Sequence, residues 1–344
     1  MLHRNRFANL LGIACLAAFT ATAADLRISG PFTHENLSVY LLHSSVKKPA
    51  TPNLLTLHEA MEQKKAAVYE TGKVEELAIE NLSSQPVFVQ AGDIVKGGQQ
   101  DRVLTTDLLL LPRSGKVSIA SLCVEQGRWT KRGAEPAEQF NASSRAVPTR
   151  ALKMAVREPG SQMKVWNEVA MAVASLASGP VAAMGAGASA IRSYAGVSGN
   201  SGTSMQLALE DRRVTQGVEK YTSALSKVVD GKTDTVGYVY AVNGKFSGAD
   251  VYDSADLFRR MWPKLLHSSA AEALAEPTKT SAIAPPPIPA IQQALAASDQ
   301  GRAVAPKNNG SLAITKKESD KALLYETAER KTGGSLIHKS YIAK

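Results

Sequence analysis

The sequence predicts an α+β fold with a mainly antiparallel β core, either a barrel or a sandwich, flanked by helices. Between residues 67 and 124, short β-prone runs with a period of two are separated by turn residues. This pattern is typical of antiparallel strands. Stretches before and after this region carry helix-capping residues and apolar residues at helical spacing, which indicates helices packed against the sheet.

The first 23 residues are predicted to be a signal peptide. Arg4 and Arg6 form its positive end, residues 10–19 form its apolar core, and Ala21-Thr22-Ala23 is a small-residue cleavage site. The apolar core is shorter than the roughly 20 residues that span a bilayer. We therefore expect an exported protein, periplasmic or secreted, whose mature chain begins near residue 24.

The predicted elements of the domain follow in chain order. Residues 37–42 form a strand, and Thr56 with Glu59 makes a capping box that begins a helix ending near Lys65. In such a box each side chain satisfies a free N–H of the first turn. Further short strands are predicted at residues 67–70, 74–79, 87–90, 103–104, 108–111 and 117–124.

The second half of the domain is predicted to combine helices with one hairpin. Helices are expected at residues 163–176, 206–229 and 254–274. Asn243-Gly244 indicates a tight hairpin between strand 236–242 and the residues that follow, since this pair adopts the positive φ of a primed turn. Residues 178–205 are rich in Gly, Ala and Ser and are predicted to be a mobile insertion.

A flexible, disordered tail, residues 277–344, is predicted to follow a single domain of residues 24–276. The tail is rich in Pro, Ala and Ser, a composition that buries little apolar surface, and residues 320–331 are predicted to form an isolated helix. The tail carries 10 Lys+Arg against 5 Asp+Glu, whereas the domain carries 28 against 26. A nucleic-acid-binding domain concentrates positive charge on its folded face, so no nucleic-acid partner is expected.

One basic segment lies inside the domain, between Arg128 and Lys164. Eight Lys and Arg residues occur there with three Glu residues. The segment can be a solvated face beside a loop or the rim of an anion-binding site.

Two short polar clusters lie at opposite ends of one apolar stretch. The first is Gly97-Gly98-Gln99-Gln100-Asp101-Arg102 and the second is Glu125-Gln-Gly-Arg128-Trp129. Turns need the glycines but not so many hydrogen-bonding side chains. Because buried polar groups must find partners, each cluster is either a closed internal network or the lining of a ligand site.

The segments that hold these clusters resemble a known bacterial family. They are Val87-Phe-Val-Gln-Ala-Gly-Asp-Ile-Val-Lys-Gly-Gly-Gln-Gln-Asp-Arg-Val-Leu-Thr105 and Ser121-Leu-Cys-Val-Glu-Gln-Gly-Arg-Trp129. Weaker similarity extends to Val239-Tyr-Ala-Val-Asn-Gly-Lys245 and Leu257-Phe-Arg-Arg-Met-Trp-Pro-Lys264. The family is the ARG and rhodanese-phosphatase-superfamily-associated protein domain, in which ARG stands for ADP-ribosylglycohydrolase. The resemblance implies a nucleotide-like or phosphorylated ligand but no particular reaction.

The residue types in the clusters suggest a small anionic ligand, nucleotide-like or sugar-phosphate-like. Asp101 and Glu125 could face each other across a cleft as an acid/base pair, which would make the protein a hydrolase. Arg102 and Arg128 could hold an anion bidentately, and Trp129 could stack on a ring. The ligand-binding set is then Gly97, Gly98, Gln99, Gln100, Arg102, Arg128 and Trp129.

The alternatives to this site are structural. Arg102 could pair with Glu125 or Asp93, and Trp129 could fill the core. Cys123, the one cysteine outside the signal peptide, is expected to be buried and inert, because no histidine motif accompanies it. No metal site is expected, since no His or Cys pair has ligand spacing, and a site from Asp93, Asp101 and Asp107 would lack a loop signature.

The sequence identifies no cofactor and leaves binding, catalysis and envelope contact open as functions. Contact with the envelope would use the basic tail, residues 277–344. No segment beyond the signal peptide has the length of a transmembrane helix.

Overall fold

Three β-sheets, with helices packed against them, form the part of the chain that the structure describes. The computed structural model describes residues 26–45, 54–158, 161–183, 202–278, 283–330 and 334–344. The sheets have nine, six and three strands, and one strand pair among them is parallel. The α+β class predicted from the sequence, with a mainly antiparallel β core, is confirmed.

The elements are numbered in chain order. The strands are β1 Leu26–His34, β2 Leu37–Ser44, β3 Leu55–Thr56, β4 Ala66–Glu70, β5 Glu76–Asn81, β6 Val87–Val89, β7 Ile94–Gly97, β8 Arg102–Leu104, β9 Leu108–Leu110, β10 Gly115–Cys123, β11 Phe140–Asn141, β12 Thr235–Val242, β13 Lys245–Tyr252, β14 Arg302–Ala303, β15 Lys307–Asn309, β16 Leu312–Glu318, β17 Ala322–Glu329 and β18 Leu336–Ala343. The α-helices are α1 Leu57–Glu62, α2 Arg150–Arg157, α3 Gln162–Ala183, α4 Met205–Glu210, α5 Arg212–Leu225, α6 Ala255–Ala275 and α7 Ile288–Asp299, with a 3₁₀ turn at Ser226–Val229.

The nine-stranded sheet combines strands from three parts of the chain: residues 26–44, 235–252 and 302–343. Its order is β1-β2-β12-β13-β18-β17-β16-β14, and β15 also pairs with β16. The Asn243-Gly244 hairpin joins β12 to β13 as predicted, with Asn243 at a φ of 52° and Gly244 at 71°.

Most strands of the two smaller sheets come from the β-prone segment, and β3 and β11 lie on either side of it. The six-stranded sheet has the order β11-β7-β8-β10-β5-β4, and the three-stranded sheet has the order β3-β6-β9. The short strands predicted between residues 67 and 124 are all present, because turn residues there interrupt the alternation locally.

Capping side chains fix where several helices begin. The capping box at Thr56 is confirmed: its hydroxyl accepts from Glu59 N at 3.2 Å, and Glu59 Oε2 accepts from Thr56 N at 2.9 Å. Ser254 caps α6 by accepting from Leu257 N at 3.0 Å. The helix predicted at residues 206–229 is instead divided at Asp211, whose carboxylate caps α5.

The prediction of a flexible tail after residue 276 is wrong for the residues that the structure describes. α7 begins after Pro287, and the chain then adds β14 to β18 to the large sheet. β18 lies inside that sheet, between β13 and β17. Residues 320–331, predicted as an isolated helix, contain β17, because pairing on both sides favours a strand over the helix propensity of its Ala, Leu and Glu residues.

Two predicted segments fall partly or wholly outside the described residues. The signal peptide, residues 1–23, lies outside them, and so does the greater part of the predicted insertion, residues 178–205. Among the residues that are described, none of the helices is both long and apolar enough to cross a membrane.

The two faces of the nine-stranded sheet have different chemistry. One face packs against α7, and its core is apolar, with Val239, Val251 and Leu295 among its members. The opposite face is covered by α2 and α6, yet it carries Tyr238, Asp250, His338 and Ser340. Buried polar groups are unusual on a covered sheet face, so this face is a candidate for a functional site.

Candidate functional site

The two polar clusters predicted from the sequence meet where β8 and β10 pair. Arg102 lies opposite Cys123 in that pair, so the segments that flank both strands are adjacent. The backbone N–H of Asp101 donates to Glu125 Oε2 at 3.1 Å. These two carboxylates, with Arg128 and Arg132, form what is called below the carboxylate–arginine network.

Within this network the two arginines donate hydrogen bonds to the two carboxylates. Arg132 donates to both oxygens of Asp101, at 2.9 Å each, and Ser204 donates to the same carboxylate at 2.7 Å. Arg128 Nε donates to Glu125 Oε2 at 2.8 Å. Burial by itself disfavours the charge on Arg132, but the hydrogen bonds and the negative charge of Asp101 raise its pKa.

Both terminal nitrogens of Arg128 also donate hydrogen bonds. They bond to the carbonyl oxygens of Gly97, Gly98 and Thr130 at 3.1, 2.9 and 2.6 Å. Asp101 and Glu125 are 0% exposed. The network is therefore a closed internal one, and the open cleft expected between the two carboxylates is absent from these residues, because the arginines fill the space.

Arg102 and Arg128 do not form a joint anion clamp. Arg102 is fully buried and donates to Glu70 at 3.3 Å and to the carbonyl oxygen of Val74. Neither predicted structural partner, Asp93 or Glu125, receives a hydrogen bond from it. Trp129 is not part of the core: it is 45% exposed, and the guanidinium of Arg102 lies 5.6 Å from its ring centre.

The other predicted residues shape the turn between β7 and β8. Gly97 and Gly98 have φ angles of 115° and 54°, which non-glycine residues rarely adopt. The N–H of Gln99 donates to Glu70 Oε2 at 3.3 Å, and Gln100 is buried. All these residues thus lie around the network, and their role in ligand binding stays a prediction.

Cys123 is buried, as expected from the sequence. Burial raises the pKa of the Cys123 thiol to about 11, which keeps it protonated near neutral pH. No group of three or more His, Cys, Asp or Glu residues in the described part of the chain could hold a metal ion. Asp93, Asp101 and Asp107 each have separate partners: Lys264, Arg132 and His338.

A cleft opens elsewhere, on the polar face of the nine-stranded sheet. Tyr238, Asp250 and Ser340 lie directly opposite one another on β12, β13 and β18 and form its floor. Residues Gln90–Gly92 and helices α2 and α6 form its walls. The cleft measures about 500 Å³ when its open mouth is included.

Three cationic side chains line the walls of this cleft: Lys153 and Arg157 from α2, and Lys264 from α6. Lys153 Nζ donates to Tyr240 Oη at 2.9 Å and lies 3.6 Å from Glu272. Arg157 donates to Asp107 at 3.4 Å, and Lys264 donates to Asp93.

Each of these cations donates one hydrogen bond to a described protein group. An ammonium has three N–H donors and a guanidinium has five. Arg128 in the closed network, by comparison, donates four hydrogen bonds. The cations of the cleft therefore keep donors that a ligand can use.

A buried histidine lies beneath the cleft. His338 Nδ1 is 2.8 Å from Asp107 and Nε2 is 3.0 Å from Asp250. Burial by itself would lower its pKa, but the charges and hydrogen bonds of Asp107 and Asp250 raise it to about 9. His338 is thus an imidazolium near neutral pH, which donates from both ring nitrogens.

Comparison with known proteins places the chain in a family. The family described as the ARG and Rhodanese-Phosphatase-superfamily-associated Protein domain matches residues 25–342. The chain belongs to this family. Among curated proteins and among solved structures, none matches the chain. The region that matches the ARG and Rhodanese-Phosphatase-superfamily-associated Protein domain includes the network, the cleft, the strands β14 to β17 and all but the last residue of β18.

Residues from separate segments of the sequence meet in the cleft. Gln90 and Gly92 belong to one segment of the family resemblance, and Lys264 ends a later one. Lys153 and Arg157 belong to the basic segment between Arg128 and Lys164. Strand pairing and helix docking over long sequence distances bring these segments of the ARG and Rhodanese-Phosphatase-superfamily-associated Protein domain together. Local sequence spacing therefore does not predict that they meet.

Proposed function

We propose that the protein binds the anionic group of a small molecule, a phosphate or a carboxylate, in the cleft beside Lys153, Arg157 and Lys264. The supporting observation is the unused hydrogen-bonding capacity of these three cations. Charge-assisted hydrogen bonds from Lys and Arg to oxyanions are among the stronger polar interactions in proteins. Cations with free donors on the wall of a cleft are the arrangement that such a ligand requires.

The size of the cleft limits the part of the ligand that enters it. Its enclosed part has a volume of about 40 Å³, and a single buried water needs roughly 10–15 Å³ of such space. A phosphate or carboxylate group therefore fits inside, whereas the sugar or base of a larger ligand would lie in the open mouth. A phosphorylated ligand, as the sequence resemblance implies, is compatible with this limit.

The carboxylate–arginine network has a supporting role in this proposal. It joins the turn before β8 to the segment after β10, and both carboxylates find their partners inside the protein. Hydrolysis by Asp101 and Glu125 remains the alternative function. It requires the arginines to leave the two carboxylates when a substrate enters.

The proposal is tested by titrating the protein with inorganic phosphate at constant ionic strength in a calorimeter. Lys153→Gln removes the most exposed of the three cations, whose side chain is 20% exposed. One charge-assisted hydrogen bond contributes about 1.5–3 kcal/mol, so the phosphate affinity of this variant should fall at least about tenfold. The matched control is Lys164→Gln, which removes a lysine paired with Glu158 on the surface.

Two results would overturn the proposal. One is an equal phosphate affinity in the wild type and in Lys153→Gln, and the other is an equal loss in Lys164→Gln. Trp129→Ala separates the cleft from the site predicted at the polar clusters. If this variant alone loses phosphate affinity, the anion binds beside Arg102 and Trp129 instead.

A further inference from the structure

Asp250 places a negative charge on the floor of the cleft that we propose as the anion site. It lies on the cleft floor, opposite Ser340 on one neighbouring strand and Tyr238 on the other. A carboxylate repels an anionic ligand that comes close to it, and the repulsion is stronger in the low dielectric of a partly enclosed site than in water. A simple anion would therefore use the cations of the walls and gain nothing from the floor.

The carboxylate of Asp250 has one oxygen engaged and one available. Oδ1 accepts from His338 Nε2 at 3.0 Å, whereas Oδ2 has no hydrogen-bond partner within the described ranges of the chain. The hydroxyl of Ser340, directly opposite, likewise has no partner among described residues. The floor thus offers a charged acceptor and a hydroxyl side by side, about 5 Å apart at their Cβ atoms in a paired sheet.

The charges around the cleft are already balanced. Lys153 lies 3.6 Å from Glu272, and Arg157 lies 3.4 Å from Asp107. Arg150, which also pairs with Glu272 at 2.9 Å, has a second acidic partner, Glu276, at 3.0 Å. Two more pairs complete the set, Lys264 with Asp93 and His338 with Asp250. An added anion leaves an uncompensated negative charge in this set, whereas a ligand that carries its own cation does not.

From these contacts we propose that the ligand is a small amino acid-like zwitterion. Its carboxylate meets the free donors of Lys153 and Arg157, and its ammonium donates to Asp250 Oδ2 and to Ser340 Oγ. This inference rests on the proposed function, because it needs the cations of the walls to hold the anionic end. It adds that the negative charge of Asp250, on the floor, selects a ligand whose other end is an ammonium group.

The experiment compares three ligands of one shape: alanine, lactate and propionate. They differ only in the group on the second carbon, which is an ammonium, a hydroxyl or a hydrogen. In calorimetric titrations of the wild-type protein, alanine should bind at least tenfold more tightly than propionate, with lactate between them. Asp250→Asn should abolish this preference by weakening alanine at least tenfold while leaving propionate unchanged or tighter.

The outcomes separate this inference from the proposed function. If propionate and inorganic phosphate bind but alanine binds no more tightly than propionate, the floor does not select an ammonium and this inference is overturned. If none of the three ligands and no phosphate binds, the proposed function itself fails. Should Asp250→Asn not fold, Ser340→Ala replaces it: the alanine-to-propionate ratio must fall, and an unchanged ratio contradicts the inference.

Discussion

His338 of β18 and Asp107, in the turn before β9, form a fully buried ion pair with 2.8 Å between Nδ1 and the carboxylate. The pair joins the large sheet to the three-stranded one. Asp107 also accepts from Thr327 at 2.7 Å and from Ala91 N at 2.9 Å. Burial by itself would raise the pKa of Asp107, but Arg157 and His338 hold it well below its ordinary value. The wall of the cleft at residues 90–92 is thus fastened to its floor.

This ion pair predicts a loss of stability at alkaline pH. The folded-state pKa of His338 is about 9, above the ordinary value of about 6.5. The contribution of His338 to the free energy of unfolding is therefore complete below about pH 6.5 and disappears as the pH rises through about 9, with a total of roughly 3 kcal/mol.

Urea denaturation between pH 6.5 and 9.5 should show this decline in the free energy of unfolding. His338→Gln should remove the decline, whereas His34→Gln should keep it. An equal slope in the wild type and in His338→Gln would show that the imidazole is not charged.

A second prediction concerns the carboxylate–arginine network. Arg132→Ala leaves the buried carboxylate of Asp101 without its bidentate partner, and such a loss destabilises proteins by roughly 3–5 kcal/mol. Lys131→Ala is the matched control, because this neighbouring cation is exposed and surface substitutions of this kind change stability by about 0.5 kcal/mol or less. Chemical denaturation of both variants measures the difference.

Asp101→Asn extends this test to the hydrolase alternative. A structural carboxylate predicts a destabilised variant, because an amide pairs poorly with two guanidinium nitrogens. If Asp101→Asn and Arg132→Ala both keep the stability of the wild type, the network is not a structural unit, and a catalytic role for Asp101 gains support.

The turn between β7 and β8 gives a third prediction. A Cβ atom at Gly98 would lie 2.5 Å from Phe140 Cζ, whereas one at Gly72 would have no atom within 4 Å. Both glycines have positive φ, 54° and 76°, so alanine is strained by roughly 1 kcal/mol at either position. Gly98→Ala should lose about 1–3 kcal/mol more than Gly72→Ala, because of overpacking. Urea midpoints compare the two, and equal losses would mean that Phe140 does not pack on this glycine.

The C-terminal strands give a fourth prediction. A chain that ends at Glu276 lacks α7 and β14 to β18. Only β1, β2, β12 and β13 of the large sheet remain, β13 becomes its unpaired edge, and His338 is lost. We expect this truncated chain to show no cooperative thermal unfolding by circular dichroism. A cooperative transition at the wild-type temperature would mean that residues 277–344 are dispensable for the fold, as the sequence had suggested.

The parts of the fold that the sequence predicted are local. The capping box at Thr56, the hairpin at Asn243-Gly244 and the short strands up to Cys123 depend on residues within a few positions of each other. The C-terminal strands could not be predicted in this way. β17 is rich in Ala, Leu and Glu, and it becomes a strand because β16 and β18 pair with it.

In the candidate site, too, contacts between residues far apart in the sequence could not be predicted. The adjacency of Asp101 and Glu125 follows from the pairing of β8 with β10, two strands that β9 separates in the chain. The sequence did not show that Arg132 would reach Asp101. Nor could it show that Lys264 of α6 meets Asp93, 171 residues away, because such pairs are decided by the docking of a helix onto a sheet.

A crystal structure of the protein soaked with inorganic phosphate would show directly where the anion binds. We expect phosphate in the cleft, within hydrogen-bonding distance of Lys153 Nζ and the Arg157 guanidinium. Phosphate bound instead beside Arg128 and Trp129, or a cleft that holds only water at a phosphate concentration that saturates binding in solution, would contradict it.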